Sequence, residues 1–278
     1  MTAMSQSSTS GIRLGRVLAL SATGFLLLFA LVELITVGTD AARVGRIGLD
    51  IGYWYSYYAR RWLETGVLYR PEQLVGPYVV SGLDFVFPPI AILVFVPFLY
   101  LPVVIWWLAP AAVMGACWRR YRPAWWTYPL LALILAWPRT IGQLVVGGSD
   151  LWVSMAVGLG VLYAWPFAMV VMKPSFLPLA LLGVNRRAWW MASAALLLVA
   201  LPFGTQWFDY ATAIKNSGLP LTYSLLQLPV TLAPIVMWLG RTRAGPGRVV
   251  VPSRSSRLWA SATGRVSRNL PRRPKGFP

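Results

Sequence analysis

Residues 17–38, VLALSATGFLLLFALVELITVG, decide the fold. The run holds one ionisable side chain, Glu33. As a helix rising about 1.5 Å per residue it is just long enough for the roughly 30 Å hydrocarbon core of a bilayer. Arg13 and Arg16 precede it, the first inside and the second just after a Ser/Thr-rich segment from Met1 to Gly15 that is expected to be disordered. That order of charge and apolar residues resembles a signal peptide. The run is too long for one, however, and lacks a small-residue cleavage site, so it reads as an uncleaved first span starting in the cytoplasm.

The rest of the chain agrees with a membrane solvent. Of 278 residues, 57% are hydrophobic and 12% charged, the composition of an integral membrane protein. An all-α polytopic membrane protein of about six transmembrane helices is expected, located in the cell membrane. After the first span comes a loop over 39–87. Pro88 to Cys117 is longer than one crossing, and Pro97 and Pro102 divide it into a partly inserted segment and a full span. Further spans are expected from Pro123 to Trp137, continuing toward Val146, from Leu151 to Met172, from Ala188 to Phe203 and from Leu219 to Leu239. Ser175 to Val184, bracketed by Lys173 and Asn185-Arg186-Arg187, reads as a shallow cytoplasmic hairpin. Residues 16–240 thus form one transmembrane domain, and 241–278 a disordered basic tail.

The formal charge is +17, and ten of the 25 Lys and Arg residues lie in that tail. Basic residues beside a last span mark the cytoplasmic side and suit anionic membrane lipids as partners. Arg119, Arg120, Arg122, Lys173, Arg186 and Arg187 fall on the same side in this topology. No nucleic acid is expected as a partner, because aromatic residues do not interleave with the basic ones. The chain has no histidine and a single cysteine, Cys117. These counts exclude a disulfide framework and deprive a zinc or haem site of its usual ligands. No metal or other cofactor is therefore expected. Phosphate-cradling glycine motifs are also missing.

Five of the eight acidic residues lie on the far side, in the first loop or at its edge: Asp40, Asp50, Glu64, Glu72 and Asp84. Asp50 precedes Tyr53-Trp54-Tyr55-Ser56-Tyr57-Tyr58, and the stretch from Leu49 to Gly66 predicts a surface helix. Spacings of 4, 3, 4 and 3 would put Asp50, Trp54, Tyr57, Arg61 and Glu64 on one face. Head-group-level aromatics are equally what a membrane belt contains. A carboxylate as general base beside cations for an anionic leaving group suits a sugar carried on a lipid phosphate. Glu64, Glu72 and Asp84 are expected to be solvated. Arg139, Gln143 and Asp150, at the outer end of the third span, could line the same cavity. Equally they could serve as a boundary anchor, an interhelical hydrogen-bonding group and a helix cap.

Four segments carry a family resemblance. Asp50 with Tyr55-Ser56-Tyr57-Tyr58-Ala59 and Glu64-Thr65-Gly66-Val67-Leu68-Tyr69 is the first. Phe87-Pro88-Pro89-Ile90-Ala91 with Pro97 and Leu101-Pro102 is the second. Ile141-Gly142-Gln143 and then Met172-Lys173-Pro174 through Asn185-Arg186-Arg187 complete the set. In this order they resemble the polyprenyl-phosphate-sugar-dependent membrane glycosyltransferases of the GT-C class, most closely glycosyltransferase family 87. The resemblance implies hexosyl or mannosyl transfer from a polyprenyl-phosphate sugar donor to a lipid or glycan acceptor at the extracytoplasmic face. It also implies inversion at the sugar carbon and Asp50 as the catalytic base, with Asp40 as the rival. Trp54 and Tyr57 would stack on sugar rings, while Arg61 or Arg139 would hold the phosphate. The chain departs from the family in its shorter length and in Val145, where an Asn commonly follows the Gly-Gln pair. A non-catalytic, shortened relative that binds lipid-linked sugar or scaffolds a partner enzyme is the alternative reading.

Overall fold

The structure, a computed structural model, describes residues 6–218 and 226–242. The expected basic tail beyond Thr242, the first five residues and the opening of the sixth expected span lie outside the described residues. Within them, secondary structure is helical apart from one isolated bridge between Pro123 and Arg241. The all-α class is as expected.

Helix α1 (Gln6–Arg43) contains the opening apolar run and extends past it at both ends. It begins within the segment expected to be disordered and carries Asp40 on its last turn. Its part from Arg13 to Arg43 is long and apolar enough to cross a membrane alone. Large side chains such as Phe25 and Leu28 are exposed along it. In water so long an apolar flank would be costly; lipid tails cover it at no such cost.

A π-helical turn (Asp50–Tyr55) leads directly into α2 (Ser56–Thr65). The expected surface helix therefore exists, and Gly66 ends it in the left-handed conformation (φ 72°). Its buried face is Ile51, Tyr55, Tyr58 and Ala59. The predicted face of Asp50, Trp54, Tyr57, Arg61 and Glu64 is the more open one. Short α3 (Pro71–Val75), α4 (Ile92–Phe95) and α5 (Ile105–Tyr121) follow. Helix α4 is flanked by 3-10 turns, and the chain breaks between Leu99 and Ile105, around the prolines expected to divide it. Asp84, expected to be solvated, is 5% exposed. Its carboxylate accepts from the backbone N–H and hydroxyl of Ser81, both at 2.8 Å, and lies 3.6 Å from the Arg70 guanidinium. It ties down the loop.

Helices α6 (Tyr128–Ala136) and α7 (Pro138–Val146) meet at a 59° bend. Pro138 sets it, since proline lacks an N–H to continue the helix and disfavours helical backbone at Trp137. Helix α8 (Asp150–Tyr163) then stops where one continuous span to Met172 was expected. Ala164 takes φ 67° and Pro166 opens a 3-10 run over Trp165–Met172. That run folds back along α8, with the Phe167 ring against Gly160. Lys173 is thereby returned to Asp150 at the start of α8. Its expected position on the cytoplasmic side, with Arg186 and Arg187, is overturned. The expected hairpin over Ser175–Val184 is likewise a third limb along the length of α8. It includes α9 (Leu177–Ala180) and brings Gly183 to the Ala164 carbonyl.

Helix α10 (Arg187–Ala200) continues through a 3-10 turn to Phe203, and α11 (Gln206–Ser217) leaves at 90°. Helix α11 packs on α3. The Asn216 amide donates to the Gln73 carbonyl at 2.9 Å, and Gln206 donates to the Gly66 carbonyl at 2.8 Å. Helix α12 (Leu228–Leu239) lies against α8 and α6. The six expected full spans thus resolve into one long helix, two bent pairs and shorter apolar helices.

A methyl group on Gly160 would lie 2.6 Å from the Phe167 ring. Gly160→Val is therefore expected to push the returning limb away and to destabilise the protein by about 2 kcal/mol. Detergent-solubilised protein would show this as a lowered thermal midpoint. An unchanged midpoint would argue against the fold-back.

Candidate functional site

The end of α7, the start of α8, the π-helical turn and the returning limb converge on one polar cluster. Gly147 ends α7 at φ 75°, a conformation that suits glycine, with Ile51 and Trp107 packed against it. The Gly48 N–H donates to the Val145 carbonyl at 2.8 Å, clamping the first loop onto the end of α7. Val145 thus contributes main chain and a buried side chain here, where the family pattern has an Asn.

Lys173 and Asp150 form the centre, with Lys173 Nζ 2.6 Å from Asp150 Oδ1 and both side chains almost wholly buried. The same ammonium reaches Ser149 Oγ at 3.5 Å and Gln227 Oε1 at 3.4 Å. Asp150 Oδ2 is buried with no hydrogen-bond partner. The Ser149 N–H donates to the Tyr55 hydroxyl at 3.1 Å, and that hydroxyl donates to Asp50 Oδ2 over a long 3.4 Å. Tyr55 itself stacks on Phe95 at 4.2 Å and touches Trp106 and Phe87. A rigid aromatic core therefore holds the hydroxyl between the two halves of the cluster.

Burial raises the Asp50 carboxyl from 3.8 to about 6. The Tyr55 hydroxyl and the Lys173 charge oppose the rise, and the Asp150 charge adds to it. Burial, reinforced by the Asp50 charge, pushes the Tyr55 phenol well above its ordinary value, so Tyr55 stays a donor. At about 6, the Asp50 carboxyl is ionised at pH 7 and more basic than an ordinary carboxylate, which would suit general-base work.

Beside the cluster is a cavity of about 220 Å³ with an almost wholly apolar wall, including Phe95, Trp106, Trp152, Trp165 and Met169. Ser149 and Lys173 are its polar end. Lys173 borders the polar end of an apolar hole with its ammonium paired to Asp150, so a phosphate at the end of an apolar chain would share that ammonium with the carboxylate.

The sequence-predicted residues divide. Asp50 and Asp150 come together, joined by Tyr55, Ser149 and Lys173. Asp40 does not join them: its side chain is 68% exposed and pairs with Arg43 at 3.4 Å. Arg139 is exposed on the first turn of α7, with no ion pair or hydrogen bond from its side chain among the described residues. Gln143 packs over Gly148 with Oε1 buried and unpaired. Trp54 packs edge-on to Tyr53 and against Gly82. Tyr57 and Arg61 line a shallow groove with Arg60 and Glu64, and Arg61 donates to the Tyr69 carbonyl at 3.2 Å. Sequence reasoning missed Lys173, Tyr55, Ser149 and Gln227 as partners. Lys173 did carry a signal, being the only charged residue between Leu151 and Val184; an ionisable group inside an apolar stretch points to function.

Among the described residues no group of three or more His, Cys, Asp or Glu side chains is gathered to hold a metal. Comparisons with family models, curated proteins and solved structures find no match to this chain.

Proposed function

We propose that the protein is a membrane glycosyltransferase that moves a hexose, mannose on the family resemblance, from a polyprenyl-phosphate donor to a lipid or glycan acceptor. The observation that carries this reading is the pairing of Asp50, its carboxyl raised by burial to about 6, with the apolar cavity bordered by Lys173. In this reading the chain of the donor enters the cavity beside Trp106 and Met169. Its phosphate meets Lys173, and the acceptor hydroxyl gives its proton to Asp50 as the sugar carbon is attacked. As the new bond forms, the bond from that carbon to the phosphate oxygen breaks, and the lipid phosphate leaves with both electrons, its charge stabilised by the ammonium. Tyr55 positions Asp50 through their hydrogen bond. Asp40 has no part in the scheme, because it faces solvent at the end of α1.

The test is transfer of radiolabelled sugar from polyprenyl-phosphate mannose and polyprenyl-phosphate glucose by purified protein in detergent or nanodiscs. Consumption of either donor supports the reading. Binding of the donors with no turnover would favour the non-catalytic alternative, whose support is the departure at Val145.

The cavity makes a separate prediction. Ala156→Phe would fill part of it and exclude roughly 50 Å² of apolar chain contact, raising the donor KM about tenfold. The acceptor KM should stay unchanged, and steady-state kinetics with each substrate varied in turn checks both. An equal rise in the two would remove the cavity from the donor site.

A further inference from the structure

A second cavity lies at the opposite end of α8. The last turn of α8, the Ala164 turn, the start of α10 and the end of α12 border an open cavity of about 620 Å³, on which Leu182, Arg186 and Arg187 are exposed. Phe167, Leu182 and Ile235 give it apolar walls, Trp238 adds an aromatic edge, and Arg186 and Arg187 line it as well. Among the described residues neither guanidinium has an ion-pair or hydrogen-bond partner, since the four ion pairs involve other residues. Two of the carbonyls at these helix ends are occupied. The Gly160 carbonyl accepts from the Ala164 N–H at 2.7 Å, and the Trp238 carbonyl accepts from Arg241 at 2.8 Å. Arg241 lies 4.5 Å above the Trp238 ring, adding a third positive charge beside the cavity. All the described carboxylates except Glu33 belong to the opposite end, in the first loop or at its edge, at Asp150 and in α11.

Two unpaired guanidiniums call for an anion, and their planar forks match phosphate oxygens. The adjoining walls call for hydrocarbon. A soluble anion would satisfy only the first and a neutral lipid only the second. We propose that this cavity binds an anionic phospholipid, with the head-group phosphate on Arg186 and Arg187 and an acyl chain along Phe167 and Ile235. The site rests on the membrane placement of the protein and is independent of the glycosyl-transfer reading.

The experiment is native mass spectrometry of the purified full chain released from detergent with phosphatidylglycerol or phosphatidylcholine of identical acyl chains. Phosphatidylglycerol should be retained preferentially. The R186Q/R187Q variant should lose that retention by on the order of 30-fold, about fivefold for each guanidinium. R119Q/R120Q, which removes the same charge from the end of α5, should change it less than about twofold. Leu182→Trp, which fills the cavity without altering charge, should also reduce retention and covers the case in which the double variant folds poorly. Equal losses in the two arginine pairs would overturn the proposal, as would retention unaffected by Leu182→Trp. Displacement of the lipid by glycerol 3-phosphate would also overturn it, by identifying a site for free phosphate.

Discussion

Lys173→Met is expected to destabilise the folded protein by about 3–5 kcal/mol, the largest stability effect of any single substitution considered. Asp150 is 1% exposed, and its Oδ1 rests on the ammonium while its Oδ2 has no partner. Removing the ammonium leaves a buried carboxylate that must stay charged in a low-dielectric site or take up a proton. Either course costs far more than losing a surface pair. The double variant K173M/D150L removes both charges and should recover most of the loss, because the desolvation of two ions goes with their attraction. Unfolding monitored by tryptophan fluorescence in detergent would measure both. If K173M unfolded like the parent protein, Lys173 and Asp150 would not be a buried pair.

Under the proposed glycosyl transfer, Asp50→Asn carries the largest expected effect on activity, a loss of at least 10²-fold and up to about 10⁴-fold in transfer, the usual contribution of a general base. Its effect on stability should have the opposite sign. Burial raises the Asp50 pKa from 3.8 to about 6, so the folded state holds this proton more tightly than the unfolded chain. Stability contributed by the protonated group is complete below the unfolded pKa and declines as pH rises through about 6. The amide, which never ionises, removes that decline, so above pH 6 the variant should unfold no more easily than the parent. If the proposed transfer holds, kcat/KM of the parent protein should climb as pH rises toward about 6 and level off above it, since the base works deprotonated. Undiminished transfer by the variant would remove Asp50 from the mechanism.

The sequence made some of this legible and concealed the rest for identifiable reasons. The run from Val17 to Gly38 announces its helix because one apolar segment of spanning length has no other stable state in a bilayer. The helix after Leu49 is equally visible, from its lack of proline and its closing Gly66. Its exposed and buried faces were harder to read, because a π-helical turn at Asp50–Tyr55 winds wider than an α-helix and rotates the following residues. The returning limb was concealed by hydropathy, which sees one apolar run from Leu151 to Met172. The interruption lies in Ala164-Trp165-Pro166, where proline ends a helix whatever the surrounding hydropathy. Hydropathy that runs through that turn puts Lys173 at the wrong end of α8 and leaves the cluster without its cation. Tyr55, Ser149 and Gln227 carry no comparable mark, since serine, tyrosine and glutamine are ordinary anywhere along such a chain. Only the folded chain brings them to Asp50 and Asp150.

The turn at Ala164 also bears on how this chain would look to a topology experiment. The stretch from Asp150 to Arg187 travels the length of α8 three times, where the hydropathy pattern suggests a single passage. Three and one have the same parity, so everything after Arg187 emerges at the same end either way. Reporter fusions placed at or beyond that arginine are blind to the two additional limbs. A label at Met172 or Pro174 is the informative one, and it should share the accessibility of the first loop.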